Sequence, residues 1–304
     1  MDRSLQTPVE PCGSANRMRR GTMRLVAGAL LLVSGACSVS QDQEVATGTQ
    51  EAEQVNTQLP IVHDSVVSEY INQLGNRMAS RTSRADLQWH FYVVNAAEAN
   101  AFALPGGFVY VNRGLIDLTS DEAELAGAIG HEIGHVIDRH AVQQAEKTQG
   151  ANLGIAAVCM LTNVCNSSVA RTAIQVGGAA AFARNSRKDE SQADSEAVIN
   201  TLRAGIDPRG VPLLFQSLLQ TRQQRPTVVE GWFADHPLEE SRIQHSERLI
   251  SSIDPSELKG LEEDSPAYHA MKSELDALPA PRPAQRRGFA DTPVTDTQVD
   301  TVYQ

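Results

Sequence analysis

Aromatic side chains are scarce in this chain: phenylalanine, tyrosine and tryptophan together make up 5% of its 304 residues. That leaves little material for a sugar-stacking platform or an aromatic-lined groove. Positive charge is also short, and a formal net charge of −11 argues against general affinity for nucleic acid or anionic membrane surface. No basic stripe interleaved with aromatics occurs anywhere. None of the 4 cysteines forms a Cys-x-x-Cys pair, which excludes the usual thiolate-held structural zinc. There is no internal repeat. What is present is an ordinary apolar share of 41%, enough for a packed core. Alanine and glycine crowd the middle third, which favours helices in close contact.

The N-terminal region departs from the acidic trend. Arg17, Arg19, Arg20 and Arg24 lead into the apolar run Leu25–Val33, followed by Ser34-Gly35-Ala36-Cys37. Basic, then apolar, then small residues is the order of a secretory signal peptide. The run falls short of the ~20 residues that span a bilayer. Residues 1–36 are therefore read as a leader, whose start could also be Met18 or Met23. Small residues before Cys37 resemble the lipobox of bacterial lipoproteins, although Ser34 stands where an aliphatic residue is preferred. Cleavage after Ala36 by the ordinary route fits as well. The expectation is a periplasmic protein, held at the outer membrane if Cys37 carries lipid. Cys159 and Cys165 would then lie in a compartment that permits disulfides, and are read either as a bridge or as two small buried residues.

Residues 37–58 are Gln-, Glu- and Thr-rich and read as a flexible tether. Val62, Val66, Tyr70, Leu74 and Met78 recur at helical spacing. Leu87–Asn95 reads as a strand with Trp89, Phe91 and Val93 on one face. The turn-rich stretch Asn100–Gly107 leads to a second strand at Phe108–Val111, and the two predict a small antiparallel sheet. Thr119 with Glu122 forms a capping box at the start of a helix running from Asp121 to Lys147. Residues 150–184 are read as two packed helical pieces. Further helices are expected over 187–203, 209–222 and 238–252. From 254 to 304 the chain is polar and Pro-rich and is expected to be disordered.

The chemistry lies on the 121–147 helix. In His131-Glu132-Ile133-Gly134-His135 the histidines are one turn apart, so both can reach one cation. Neutral imidazoles suit zinc, and Glu132 beside them can take a proton from water. The surrounding Ile129, Ile133, Val136 and Ile137 make the helix largely apolar, and buried polar groups need partners. A catalytic zinc takes a third protein ligand. A histidine six residues after His135 is absent, since Ala141 stands there and His140 falls one short. Residues 147–188 hold no Asp, Glu or His. The first carboxylates beyond this gap open Asp189-Glu190-Ser191-Gln192-Ala193-Asp194. Glu190 is therefore the candidate third ligand, with Asp194 one turn on to hold a ligand histidine.

Asp121-Glu122-Ala123-Glu124-Leu125-Ala126, the His-Glu motif, Arg139-His140 and the Glu190–Asp194 segment occur in that order. Asn100-Ala101-Phe102 with Pro105-Gly106-Gly107 precede them, and His236-Pro237 with Arg242-Ile243 follow. Over roughly residues 60–250 this set resembles the M48 family of zinc metallopeptidases, which includes the CAAX prenyl protease and bacterial periplasmic peptidases. The resemblance implies an α+β, mostly helical, zincin-like domain over 59–253, with the sheet beside the active-site helix and one Zn2+ per chain. It implies that Asn100, Ala101, Phe102, Gly106 and Gly107 form an edge for an extended polypeptide substrate. It places His236 and Arg242 near the site, to stabilise an oxyanion or, for His236, to fill the open metal position at rest. Envelope assembly machinery is an expected partner. A rival expectation is an envelope chaperone that uses the zinc fold to hold clients. A zinc hydrolase of cell-wall amides is another, disfavoured by the lack of aromatics.

Overall fold

The computed structural model describes residues 39–147, 186–237 and 240–281. The leader, Cys37, Cys159, Cys165, the helical pieces expected over 150–184 and the last residues of the expected tail lie outside these. Among the described residues no helix is long and apolar enough to cross a membrane.

The expected tether is instead a helix, α1 (Gln41–Gln58), opened by a capping box between Ser40 and Gln43. It buries Glu44, Gly48 and Ala52, which recur every four residues on one face. Helix α2 (Ser65–Ala79) starts at Asp64, whose side chain accepts from the Val67 backbone N–H. Its inward face is Val67, Tyr70, Ile71, Leu74 and Met78, while Val66, read as part of that face, is 45% exposed.

Strands β1 (His90–Val94), β2 (Ala101–Leu104) and β3 (Phe108–Asn112) form one sheet in the order β1-β3-β2. The sheet is mixed, which corrects the antiparallel expectation: β1 runs parallel to β3, and β2 antiparallel to it. The cause is the segment read as a turn. It contains β2, and Gly106 and Gly107, at φ +81° and +102°, close a tight hairpin from β2 into β3. The few aromatics gather here, with the Tyr110 ring stacked 4.9 Å from Tyr92 and 4.8 Å from Phe102.

After the short helix α3 (Arg113–Leu118) comes α4 (Glu122–Ile137), in which every residue from Glu122 to Val136 is buried. Its cap is Asp121, accepting from the Glu124 N–H, and not the expected Thr119; the Thr119 hydroxyl donates to the Ile116 carbonyl instead. The helix also stops earlier than expected. Arg139 adopts φ 55°, and a new helical stretch begins at 140. Helices α5 (Arg187–Arg203), α6 (Gly210–Gln224), α7 (Glu230–Asp235) and α8 (Glu240–Ser251) follow, the first matching its predicted span. Close packing of α5 on α4 depends on glycine. A Cβ at Gly134 would lie 2.9 Å from both the Cα and the carbonyl oxygen of Ala193.

The expected disordered tail begins too early in the sequence reading. Helix α9 (Pro266–Ala277) is capped by Ser265 and buries Tyr268, Met271 and Leu275 in the main core. Tyr268 donates its hydroxyl to the Thr119 carbonyl at 2.8 Å, tying this helix to the approach of α4.

Candidate metal centre

Helical spacing puts His131 and His135 on one side of α4, with their Nε2 atoms 3.1 Å apart. The Gly134–Ala193 contact holds α5 against that side, and Glu190, one turn before Ala193, enters between the rings. Its Oε2 is 3.4 Å from His131 Nε2 and its Oε1 is 3.5 Å from His135 Nε2. The end of α7 brings His236 to the same point, its Nδ1 3.3 Å from both His131 Nε2 and Glu190 Oε1. All four side chains are buried, and they are the metal-capable group among the described residues.

These separations test whether a metal fits. Around zinc with bonds of about 2.0–2.1 Å, tetrahedral donors stand roughly 3.3 Å apart. The donor set here spans 3.1 to 3.5 Å. Facing lone pairs of imidazole nitrogens and carboxylate oxygens at such distances need a proton or a metal cation between them. Ionisation behaviour points the same way. Burial opposes charge on His131, but Asp194 and Glu190 outweigh it and push its pKa up to about 9. Burial also works against the Glu190 anion, yet hydrogen bonds from His131 and His236 hold its pKa far below the usual carboxylate range. His135 is kept neutral by burial, followed by the nearby His131 and His236. The nest favours positive charge among its buried acids, and its donors are those zinc prefers.

The supports are buried as well. His131 Nδ1 lies 3.0 Å from Asp194 Oδ1, although off the N–H axis, which leaves Nε2 free to face the centre. Arg242 grips Asp194 with two hydrogen bonds of 2.8 and 2.6 Å and sets a further nitrogen 2.6 Å from Glu190 Oε2. It thus clamps the two acidic side chains that hold the centre. Glu132 is 1% exposed, and burial raises its pKa against the opposing charges of His236 and His131. His236 Nε2 is 3.4 Å from Glu132 Oε1.

A cavity of about 120 Å³ opens between this group and β2, lined by Glu132, His135, His236, Phe102, Ala103 and Leu104 among others. Asn100 does not line it but donates to Asp235, which does, at 3.1 Å. Ala101 and Phe102 belong to β2 itself. Gly106 and Gly107 do not reach the metal group; the Gly106 N–H donates to Glu44 of α1 at 3.3 Å. Sequence reasoning missed Ala103, Glu44 and any role for His140, which is 4% exposed and touches His135. His140 stood out in the sequence as a failed third ligand and, with Arg139, as one of the family-like motifs, but neither gave it a role.

A His-Glu-x-x-His helix, with a glutamate delivered from the next described helix, is the active-site arrangement of a zinc metallopeptidase. The chain belongs to peptidase family M48, whose model matches residues 66–250, more than half of its length. It is 28% identical to the beta-barrel assembly-enhancing protease of Yersinia pestis over 228 residues, covering 73% of this chain and 47% of that protein. The same-named protein of Escherichia coli K12 is 28% identical over 240 residues, covering 76% and 48%. Metalloprotease LoiP of Escherichia coli K12 is 25% identical over 228 residues, covering 73% of this chain and 88% of LoiP. The chain thus spans about half the length of the first two relatives.

Proposed function

We propose that this protein is a zinc-dependent endopeptidase of the bacterial cell envelope that hydrolyses peptide bonds in extended polypeptides, misfolded or stalled envelope proteins in particular. The observation that carries this is the convergence of His131, His135 and Glu190 on one point with Glu132 beside it. His131, His135 and Glu190 would hold the metal. When bound, zinc polarises a carbonyl and makes water acidic enough to lose a proton near neutral pH. Glu132 Oε takes the proton from the attacking water and passes it to the departing amine nitrogen. Arg242 fixes the Glu190 carboxylate, and Asp194 fixes the His131 ring.

Substrate placement follows from the sheet. The Asn112 N–H donates to the Asn100 carbonyl at 2.9 Å, so hydrogen bonding alternates along the pair and also falls at Phe102–Tyr110 and Leu104–Phe108. The backbone groups of Ala101 and Ala103 therefore point away from β3. Those of Ala101 are partly spent, since its N–H is taken by the Asn100 side chain at 3.0 Å. Ala103, beside Glu132 and His135, keeps an open N–H and carbonyl for a substrate strand.

His236 would occupy the fourth metal position at rest and must swing out before substrate enters. Location in the periplasm, attachment through a lipidated Cys37 and work alongside envelope assembly machinery are drawn from the leader and from the names of the enhancing proteases. Kinship with the CAAX prenyl protease group rests on the shared motifs alone.

Glu132→Gln tests the core of this proposal. Zinc content should stay at one per chain while cleavage of an unfolded polypeptide falls by about a hundredfold or more. A variant that cleaves as fast as wild type would remove Glu132 from the chemistry. Wild type that holds no more zinc than His131→Ala would remove the metal site.

A further inference from the structure

His135 lacks the direct carboxylate partner that His131 has in Asp194. Its Nδ1 instead lies 2.9 Å from Nδ1 of His140, and the buried His140 Nε2 lies 4.0 Å from Asp189 Oδ1, close enough to feel its charge but too far for a hydrogen bond, with Gln192 alongside on the same helix. We propose that His140 is a positioning residue for the metal: it relays the Asp189 carboxylate to His135 and so fixes which nitrogen of His135 is left to bind zinc. The inference deepens the zinc-peptidase reading and rests on it.

Proton counting supports the relay. Two Nδ1 atoms at 2.9 Å share one proton. If His135 supplies it, His135 Nε2 carries a lone pair aimed at the metal point, and His140 bears its own proton on Nε2, facing Asp189. If His140 supplies it, the remaining proton of neutral His135 moves to Nε2, directed at His131 Nε2 only 3.1 Å away, and His135 ceases to be a ligand. Asp189 favours the first arrangement through its charge, which at 4.0 Å draws the proton to the near side of the ring, His140 Nε2. The result is a carboxylate–imidazole–imidazole line, one ring longer than the Asp194–His131 pair on the other side of the centre.

A regular helix could not build this line. Five residues on, a side chain is about 140° round the axis from where it started. The left-handed residue Arg139, at φ 55°, folds the chain back so that His140 comes under His135. Arg139 is held there by α1 and the residue before its cap. Its Nε donates to Glu44 Oε2 at 2.7 Å, and its Nη2 to the Val39 carbonyl at 2.6 Å. Both partners precede the segment that matches the family model.

The test uses the full chain stripped of metal, with zinc affinity measured by competition against a fluorescent chelator at fixed pH. Cobalt(II) absorption then reports the geometry of the site. His140→Phe keeps the ring but removes the acceptor, and zinc affinity should fall by about 10- to 100-fold. His140→Asn, whose Oδ1 can take the place of Nδ1, should stay within a few fold of wild type and keep its cobalt spectrum. Metal-free melting temperatures of the three proteins should agree. Wild-type affinity in His140→Phe overturns the relay, and so does an equal loss in His140→Asn, which would make ring volume the cause. If His140→Phe does not fold, Asp189→Asn carries the test: an unchanged affinity and cobalt spectrum overturns the proposal. Wild type that binds zinc no better than His131→Ala defeats the underlying peptidase reading instead.

Discussion

His236 has Nδ1 bonded toward His131 and Glu190, while its buried Nε2 makes no hydrogen bond and lies 3.4 Å from Glu132 Oε1. If, as proposed, it fills the fourth metal position at rest, it stands where a water or a carbonyl oxygen would arrive, beside the proposed base Glu132. Trp232 packs against it with ring centroids 4.9 Å apart, so its release requires the end of α7 to move. His236→Ala should therefore raise basal cleavage severalfold with zinc content unchanged; a fall in rate measured on a short peptide would assign His236 to the reaction itself. At this scale the sequence was informative wherever spacing alone carries geometry. The i, i+4 pair His131 and His135 could be read directly, and the long stretch without acids isolated Glu190. Arg242 could be placed near the site but not as its clamp, because that role depends on how α8 lies on α5. His140 was visible as part of a motif, but its contact with His135 could not be read, since its orientation depends on one left-handed backbone angle at Arg139, a residue type that gives no hint of it.

Among the elements, β2 is the one proposed to seat the substrate. It pairs on one side with β3, and its other edge faces the cleft. Ala103→Pro removes the outward N–H but no bond of the sheet, and an edge strand tolerates that change. The Michaelis constant for a peptide should rise about tenfold while zinc binding and melting temperature hold. An unchanged constant would show that substrate does not lie along β2. This strand was hidden in the sequence by Pro105, Gly106 and Gly107 just after it, which made the whole stretch read as turn; without it, β1 and β3 looked like hairpin partners. Helix α1 was hidden for a different reason. Its buried face is Glu44, Gly48 and Ala52, a charge and two of the smallest side chains, so hydrophobic periodicity carries no signal. Glu44 is buried because Arg84, at 2.8 Å, and Arg139, at 2.7 Å, neutralise it.

At the scale of the molecule, α4 lies at the centre with the other described elements arranged around it, and both flanks of the chain return to it. Helix α1 reaches its C-terminal end through Arg139, and α9 reaches its start through Tyr268, Ser265 and the buried Glu122. Tyr268→Ala should cost about 3–5 kcal/mol of stability, read as a lowered midpoint in urea unfolding. A loss within the error of the measurement would return α9 to the status of a tail. Its pattern of Tyr268, Met271 and Leu275 was present in the sequence but sat within polar, Pro-rich surroundings that dominated the composition. The free edge of β2 also has a consequence for the choice of clients. A strand that recognises bare backbone cannot compete with a finished fold, in which those amides and carbonyls are already taken. Cleavage would then be timed by how long a client leaves its main chain unpaired, so slow folders and orphaned subunits would be consumed while prompt ones pass untouched, whatever their sequence.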